Sequence, residues 1–187
     1  MRQGDSVLQF WRIRKAAPYI PHGAHVLDIG CSDGALFRVL GERIASGVGI
    51  DTAPVPGDHG SFRFIQGYAP EALPKGDRYD VITMLAVLEH VPPDAQRDLA
   101  VACVSLLRPR GRIVCTVPSP KVDSLIHLGQ RLRILEGMAE PEHYGFEPAD
   151  TVRLFTDCGF ALRRARRFQL GLNNLFVFAR RLGAPVR

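Results

Sequence analysis

The residues whose types and spacing can do chemistry gather in the first third of the chain. A short apolar run from His25 to Cys31 empties into Asp28-Ile29-Gly30-Cys31-Ser32-Asp33-Gly34, directly before a segment of helical spacing. Small residues at such a turn let the backbone pass close to a ligand, and the following helix N-terminus favours polar or anionic groups. Asp51 comes 21 residues after Gly30, at the end of a second β-rich run. A carboxylate there can accept hydrogen bonds from both hydroxyls of a ribose. The two features together predict a nucleoside-containing ligand above the carboxyl ends of the strands.

Two ligands satisfy that expectation unequally. A dinucleotide site wants G-x-G-x-x-G or a final alanine, and Ser32 occupies the second glycine position, where a side chain crowds a pyrophosphate. Asp28 adds a charge that is unfavourable beside a diphosphate and favourable beside an ammonium. A ligand with a ribose, an amino group and no phosphate fits better, which points to S-adenosylmethionine ahead of NAD.

The elements that must position these residues follow from periodicity. Asp5 to Tyr19 has helical spacing, with Val7, Leu8, Trp11 and Ala16 on one side, and Pro18 and Pro21 end it. Strands are expected at His25–Cys31, Gly47–Asp51, Phe62–Gln66, Tyr79–Met84 and Gly111–Val117. Helices are expected between them, one through Leu36, Phe37, Leu40 and Ile44, another after Pro92-Pro93 through Leu99, Cys103 and Leu106. Alternation of this kind argues for a parallel sheet covered on both faces. Pro148 opens a further helix that Gly159 stops, and strands around Ala161–Leu170 and Leu175–Arg180 form a closing hairpin with the last strand antiparallel.

Length and composition suit this architecture. The chain has 187 residues, 46% hydrophobic and 23% charged, which fits a single domain over 1–187 and excludes a largely disordered chain. Cys31, Cys103, Cys115 and Cys158 are widely spaced and suggest neither a disulfide framework nor a zinc cluster, so a reducing, cytoplasmic setting is expected. No apolar stretch is long enough to span a bilayer, and the polar Met1–Asp5 leads into no apolar signal core. The formal net charge of +5 is uneven: from Phe160 onward there are seven arginines and no acid, while the remainder carries 17 basic and 19 acidic side chains. Basicity confined to one end is weak support for a nucleic-acid protein, though it allows a weak anionic contact through the C-terminal arginines.

VLDIGCSDG, GVGID, FRFIQGYA, YDVITMLAVLEHV and LLRPRGRIVCTVP occur in that order between Val26 and Pro118. They resemble the successive motifs of class I S-adenosylmethionine-dependent methyltransferases, most of all the small-molecule, ubiquinone-type (methyltransferase type 11-like) group. The resemblance implies a Rossmann-like α/β fold with a seven-stranded, mostly parallel sheet of order 3-2-1-4-5-7-6 and strand 7 antiparallel. It implies that Asp28, Gly30, Cys31, Ser32 and Gly34 line the methionine end of the cofactor. Asp51 then holds the ribose, with Thr52 beside the adenine, Gln66, Gly67 and Tyr68 bordering it, and Met84, Leu85 and Ala86 offering backbone carbonyls to the amine. Tyr68 departs from the pattern, standing where many relatives carry an aspartate for the adenine amino group.

The acceptor side is less determined. The segment after strand five, 121–147, is expected to form a substrate lid, and residues 1–21 an N-terminal helical element in which Phe10 and Trp11 could cover the opening. His90, His143 and Tyr144 are the candidate catalytic residues, with His127 expected on the surface. Methyl transfer from a sulfonium requires no metal, and the sequence has no H-E-x-x-H or Cys/His cluster to hold one. The absence of a [DN]-P-P-[YFW] element or a Pro-Cys nucleophile argues against a nucleic-acid base, leaving a small-molecule or lipid-like acceptor. The readings that stay open beside the enzyme are a non-catalytic, methyltransferase-shaped binding module and a NAD-dependent reductase.

Overall fold

A computed structural model of the chain describes residues 3–55, 57–119 and 147–181. The elements run α1 (Gln3–Ala16), β1 (His25–Ile29), α2 (Ala35–Leu40), β2 (Ser46–Asp51), β3 (Phe62–Gln66), β4 (Tyr79–Leu85), α3 (Pro93–Leu106), β5 (Leu107–Pro118), α4 (Pro148–Asp157), β6 (Phe160–Phe168) and β7 (Asn173–Arg180). The seven strands form one sheet in the order β3-β2-β1-β4-β5-β7-β6. The strands from β1 to β5 pair in parallel, and β7 runs antiparallel to both β5 and β6. This is the class I arrangement that the sequence motifs imply.

Strand alternation builds two cores at once, because successive side chains leave opposite faces. Leu27, Ile82, Cys115 and Phe178 face α3 and α4, where Leu99, Cys103 and Phe155 meet them, with Phe160 of β6 in the same cluster. Their chain neighbours Val26, Val81, Val114 and Val177 face α1 and α2, against Ile13, Ala16, Leu36 and Phe37. Near-continuous apolar runs are what a two-sided sheet requires. Gly47 gives Phe37 its seat: a Cβ there would stand 2.6 Å from the ring. The strand origins are tied by Asp80, whose Oδ2 accepts from the His25 N–H (2.9 Å) and from Arg108 (2.8 Å), linking β1, β4 and β5.

One feature lies beyond what the helical spacing settles, and one strand boundary is corrected. The helix α1 does not bury the Val7–Leu8–Trp11 side; these residues and Phe10 are exposed, and the contact with the sheet is made by Ile13, Ala16 and, beyond the helix, Ile20. Only the C-terminal half of α1 reaches the sheet, where Arg43 also donates to the carbonyls of Ala17 and Ile20 (2.8 and 2.9 Å). The aromatic rings ahead of it are flanked by cations instead, Arg14 over Phe10 and Lys15 over Trp11. β5 also starts at Leu107 rather than Gly111. Leu107 pairs with Tyr79 before the strand bulges, with Arg110 at φ 71°, and ladder pairing resumes at Arg112.

Candidate active site

At the carboxyl ends of β1, β2 and β4 the chain leaves the sheet through a turn that needs left-handed backbone three times in five residues: Gly30 (φ 75°), Ser32 (48°) and Gly34 (73°). At Gly30 the requirement is also steric, since a Cβ would lie 2.2 Å from Val87 Cγ2. Ser32 adopts at some cost a conformation that glycine takes freely. The turn is knitted to β2. Gly30 and Cys31 donate to the Ile50 carbonyl (2.7 and 3.1 Å), and the Ser32 N–H donates to Asp51 Oδ2 (2.7 Å). Asp51 Oδ1 accepts from the Ala53 N–H (2.9 Å). Each Asp51 oxygen retains lone-pair capacity for a further donor.

A cavity of about 880 Å³ opens beside this turn. Of the thirteen residues expected to bind a cofactor, Gly30, Ser32, Asp51, Thr52, Gly67, Tyr68, Leu85 and Ala86 line it. The other five do not. Asp28 is buried beneath the turn, where Thr83 Oγ1 donates to its Oδ1 (2.6 Å). Burial pushes its carboxyl up to about 7; the Thr83 hydrogen bond lowers it, and the nearby Asp51 charge raises it further. Cys31 packs its Sγ towards Gly49, and burial, reinforced by Asp28 and Asp51, pushes its thiol up, so it stays protonated. Gly34 caps α2, Met84 is fully buried in the core, and Gln66 donates to the Thr52 carbonyl (3.3 Å).

Among the candidate catalytic residues, His90 lines the cavity, held after β4 by its N–H to the Val87 carbonyl (2.9 Å). His143 and Tyr144, with His127 and nearly all of the expected 121–147 lid, lie outside the described residues. Phe10 and Trp11 do not line the cavity; their helix neighbours Gln9 and Arg12 do. These two polar residues, at i and i+3 on one helix face and next to the buried Ile13, were the available signal for that role. Gln9 also donates to Asp33 (3.0 Å), which fastens α1 to the glycine-rich turn. Glu71 and the apolar Val87, Val91, Pro92 and Ala95 also line the wall. Behind it, Glu89 is buried, its carboxyl pushed up to about 7 by burial against the opposing influence of its backbone hydrogen bond and Arg12. Among the described residues, no three His, Cys, Asp or Glu side chains converge as metal ligands.

A family model described as a methyltransferase domain matches residues 8–165. The chain belongs to this methyltransferase-domain family. A ubiquinone biosynthesis O-methyltransferase of Aeromonas salmonicida is 30% identical over 174 residues, covering 81% of this chain and 72% of that one. One from Leptothrix cholodnii is 29% identical over 164 residues. The chain spans about two thirds of the length of the first relatives it matches, at 67% and 65%. Among solved structures, the putative methyltransferase complexed with the Haloferax volcanii Trm112 activator superposes with a TM-score of 0.71 at 15% identity, covering 91% of this chain and 90% of that one. Magnesium protoporphyrin IX methyltransferase of Synechocystis gives 0.62 at 21% identity, with coverages of 94% and 81%. The fold of this methyltransferase-domain protein is therefore the class I S-adenosylmethionine-dependent one.

Proposed function

We propose that the chain transfers a methyl group from S-adenosylmethionine to a small-molecule acceptor. The observation that carries this reading is the set of carboxylates placed around the glycine-rich turn. Asp51 and Glu71 line it and Asp28 lies beneath it. Carboxylates so placed suit a ribose and an ammonium and repel a pyrophosphate, which disfavours NAD. The donor set therefore fits this cofactor. The cavity volume lies in the range of small-molecule sites. The Synechocystis enzyme, solved with bound SAH, supports the same ligand class.

In this reading Asp51 fixes the ribose through its remaining lone pairs, Asp28 balances the ammonium, and Tyr68 borders the adenine. When bound, the cofactor supplies a methyl group activated on a sulfonium sulfur. The chain's part is to hold the acceptor in line with that methyl and to keep water out, which Val87, Val91 and Pro92 serve. For an oxygen acceptor, His90 on this wall would take up the acceptor's proton. The ubiquinone biosynthesis O-methyltransferases among the relatives favour oxygen over nitrogen or carbon as the acceptor atom.

The test is calorimetry with S-adenosylmethionine, S-adenosylhomocysteine and NAD. Wild type is expected to bind the first two and not the third, and Asp51→Ala to lose at least about tenfold in affinity, the worth of a hydrogen-bonded carboxylate pair. Absence of binding by the wild type overturns the reading.

A further inference from the structure

The outer edge of the sheet carries a charge that the cavity does not use. β6 is an edge strand, and Arg163, Arg164, Arg166 and Arg167 along it are exposed. Among the described residues none of their guanidiniums makes an ion pair or hydrogen bond. The register places Arg164 and Arg166 opposite Val177 and Leu175, on the α1–α2 face, and Arg167 opposite Asn174, on the other. The edge is thus basic on both sides. β7 beside it has no acid, and α4, packed behind, holds Asp150 against its own Arg153 (3.8 Å) and carries one further acid, Asp157, at its C-terminal end.

The strand ends in an unusual tip. Gln169, Leu170 and Gly171 are all left-handed (φ 51°, 56° and 86°), although two of them carry side chains, and Leu170 is fully exposed. Backbone strain is spent there on projecting a leucine into solvent. Charges alone are a common guard against edge-to-edge pairing, but that role does not call for the leucine. Because β5 and β6 are both antiparallel to β7, this tip lies at the end of the sheet where the cavity opens; the Ser119 N–H donates to the Leu172 carbonyl there (2.8 Å).

We propose that the β6–β7 hairpin is a docking surface for an anionic lipid bilayer, with the arginines on lipid phosphates and Leu170 in the headgroup–acyl boundary. Guanidiniums pair bidentately with phosphate, and one apolar side chain beside several cations is an interfacial arrangement. A nucleic acid would meet the same arginines, but the aromatics of β6, Phe160 and Phe168, are buried and unavailable for base stacking.

The experiment is co-sedimentation of the full chain with phosphatidylcholine vesicles, with and without phosphatidylglycerol, repeated with a short duplex and a single-stranded oligonucleotide. Wild type is expected to partition onto the anionic vesicles only. Replacing all four arginines by glutamine is expected to weaken this by on the order of a hundredfold or more, at about fivefold per charge. Leu170→Asp is expected to cost about tenfold by removing an interfacial anchor. Melting temperatures report that the variants fold. Failure of wild type to partition, indifference to either replacement, or tighter binding to an oligonucleotide overturns the proposal. Partitioning needs no cofactor, so its failure and a failure of the methyltransferase reading are separately visible.

Discussion

Asp28 is asked for two things that conflict. It must be charged to balance an ammonium, yet it sits at 4% exposure with one hydrogen bond from Thr83, and burial holds its carboxyl near 7. In the ligand-free chain near neutral pH it is therefore only partly ionised, and an arriving cation must draw the charge out. Asp28→Asn keeps an oxygen for the Thr83 hydroxyl and removes the ionisable group. The variant is expected to bind S-adenosylmethionine about tenfold or more weakly at pH 8, the worth of a charge-assisted contact. Its deficit should shrink towards pH 5.5, where the wild-type carboxyl is protonated too. Calorimetry at the two pH values measures both. A deficit independent of pH would mean that the side chain acts through its shape and not its charge.

Between elements, the decisive contact is Gly30 against Val87, where the turn after β1 meets the segment after β4. Gly30→Ala meets a left-handed φ and a methyl group 2.2 Å away, so a loss of about 3 kcal/mol in denaturant unfolding is expected. Val87→Ala alone should cost about 1 kcal/mol, and the double variant should recover part of the alanine penalty, leaving the backbone strain. Strict additivity of the two would show that the collision is relieved elsewhere. This pair also marks how far the sequence was legible. The glycine-rich turn and Asp51 could be found because their residue types are restricted by backbone and charge. The strands could be found because both faces of the sheet are apolar. The seat of α1 could not: periodicity puts Val7, Leu8, Trp11 and Ala16 on one side but does not say how much of the helix reaches the sheet, and of the four only Ala16 is buried. Gln9 and Arg12 were missed for the same reason, since only the packed helix shows which polar pair turns to the cavity.

At the scale of the whole molecule, two buried acids set a pH dependence opposite to that of most carboxylates. Asp28 and Glu89 keep their protons up to about 7 in the folded chain, against 3.8 and 4.5 for the free groups. Between those limits the native state binds more protons than the unfolded state. The stability they contribute is complete in acid below about 4 and is lost as the pH rises through 7. At about 1.4 kcal/mol for each tenfold change in proton affinity, the two together weigh on the order of 8 kcal/mol at pH 8. The formal charge of +5 works the other way, since it grows as carboxylates take up protons in acid and raises self-repulsion there. Comparing wild type with Asp28→Asn/Glu89→Gln cancels that background. The double variant is expected to match wild type near pH 4 and to melt progressively higher as the pH is raised to 8. Added S-adenosylmethionine should narrow the pH 8 gap by giving the Asp28 charge a partner, and should leave the Glu89 share in place. Thermal unfolding across pH 4 to 8 reads all of these differences. A gap that fails to open with pH would place both charges within reach of solvent or of an internal cation, and would remove the reason for Asp28 to wait for its ligand.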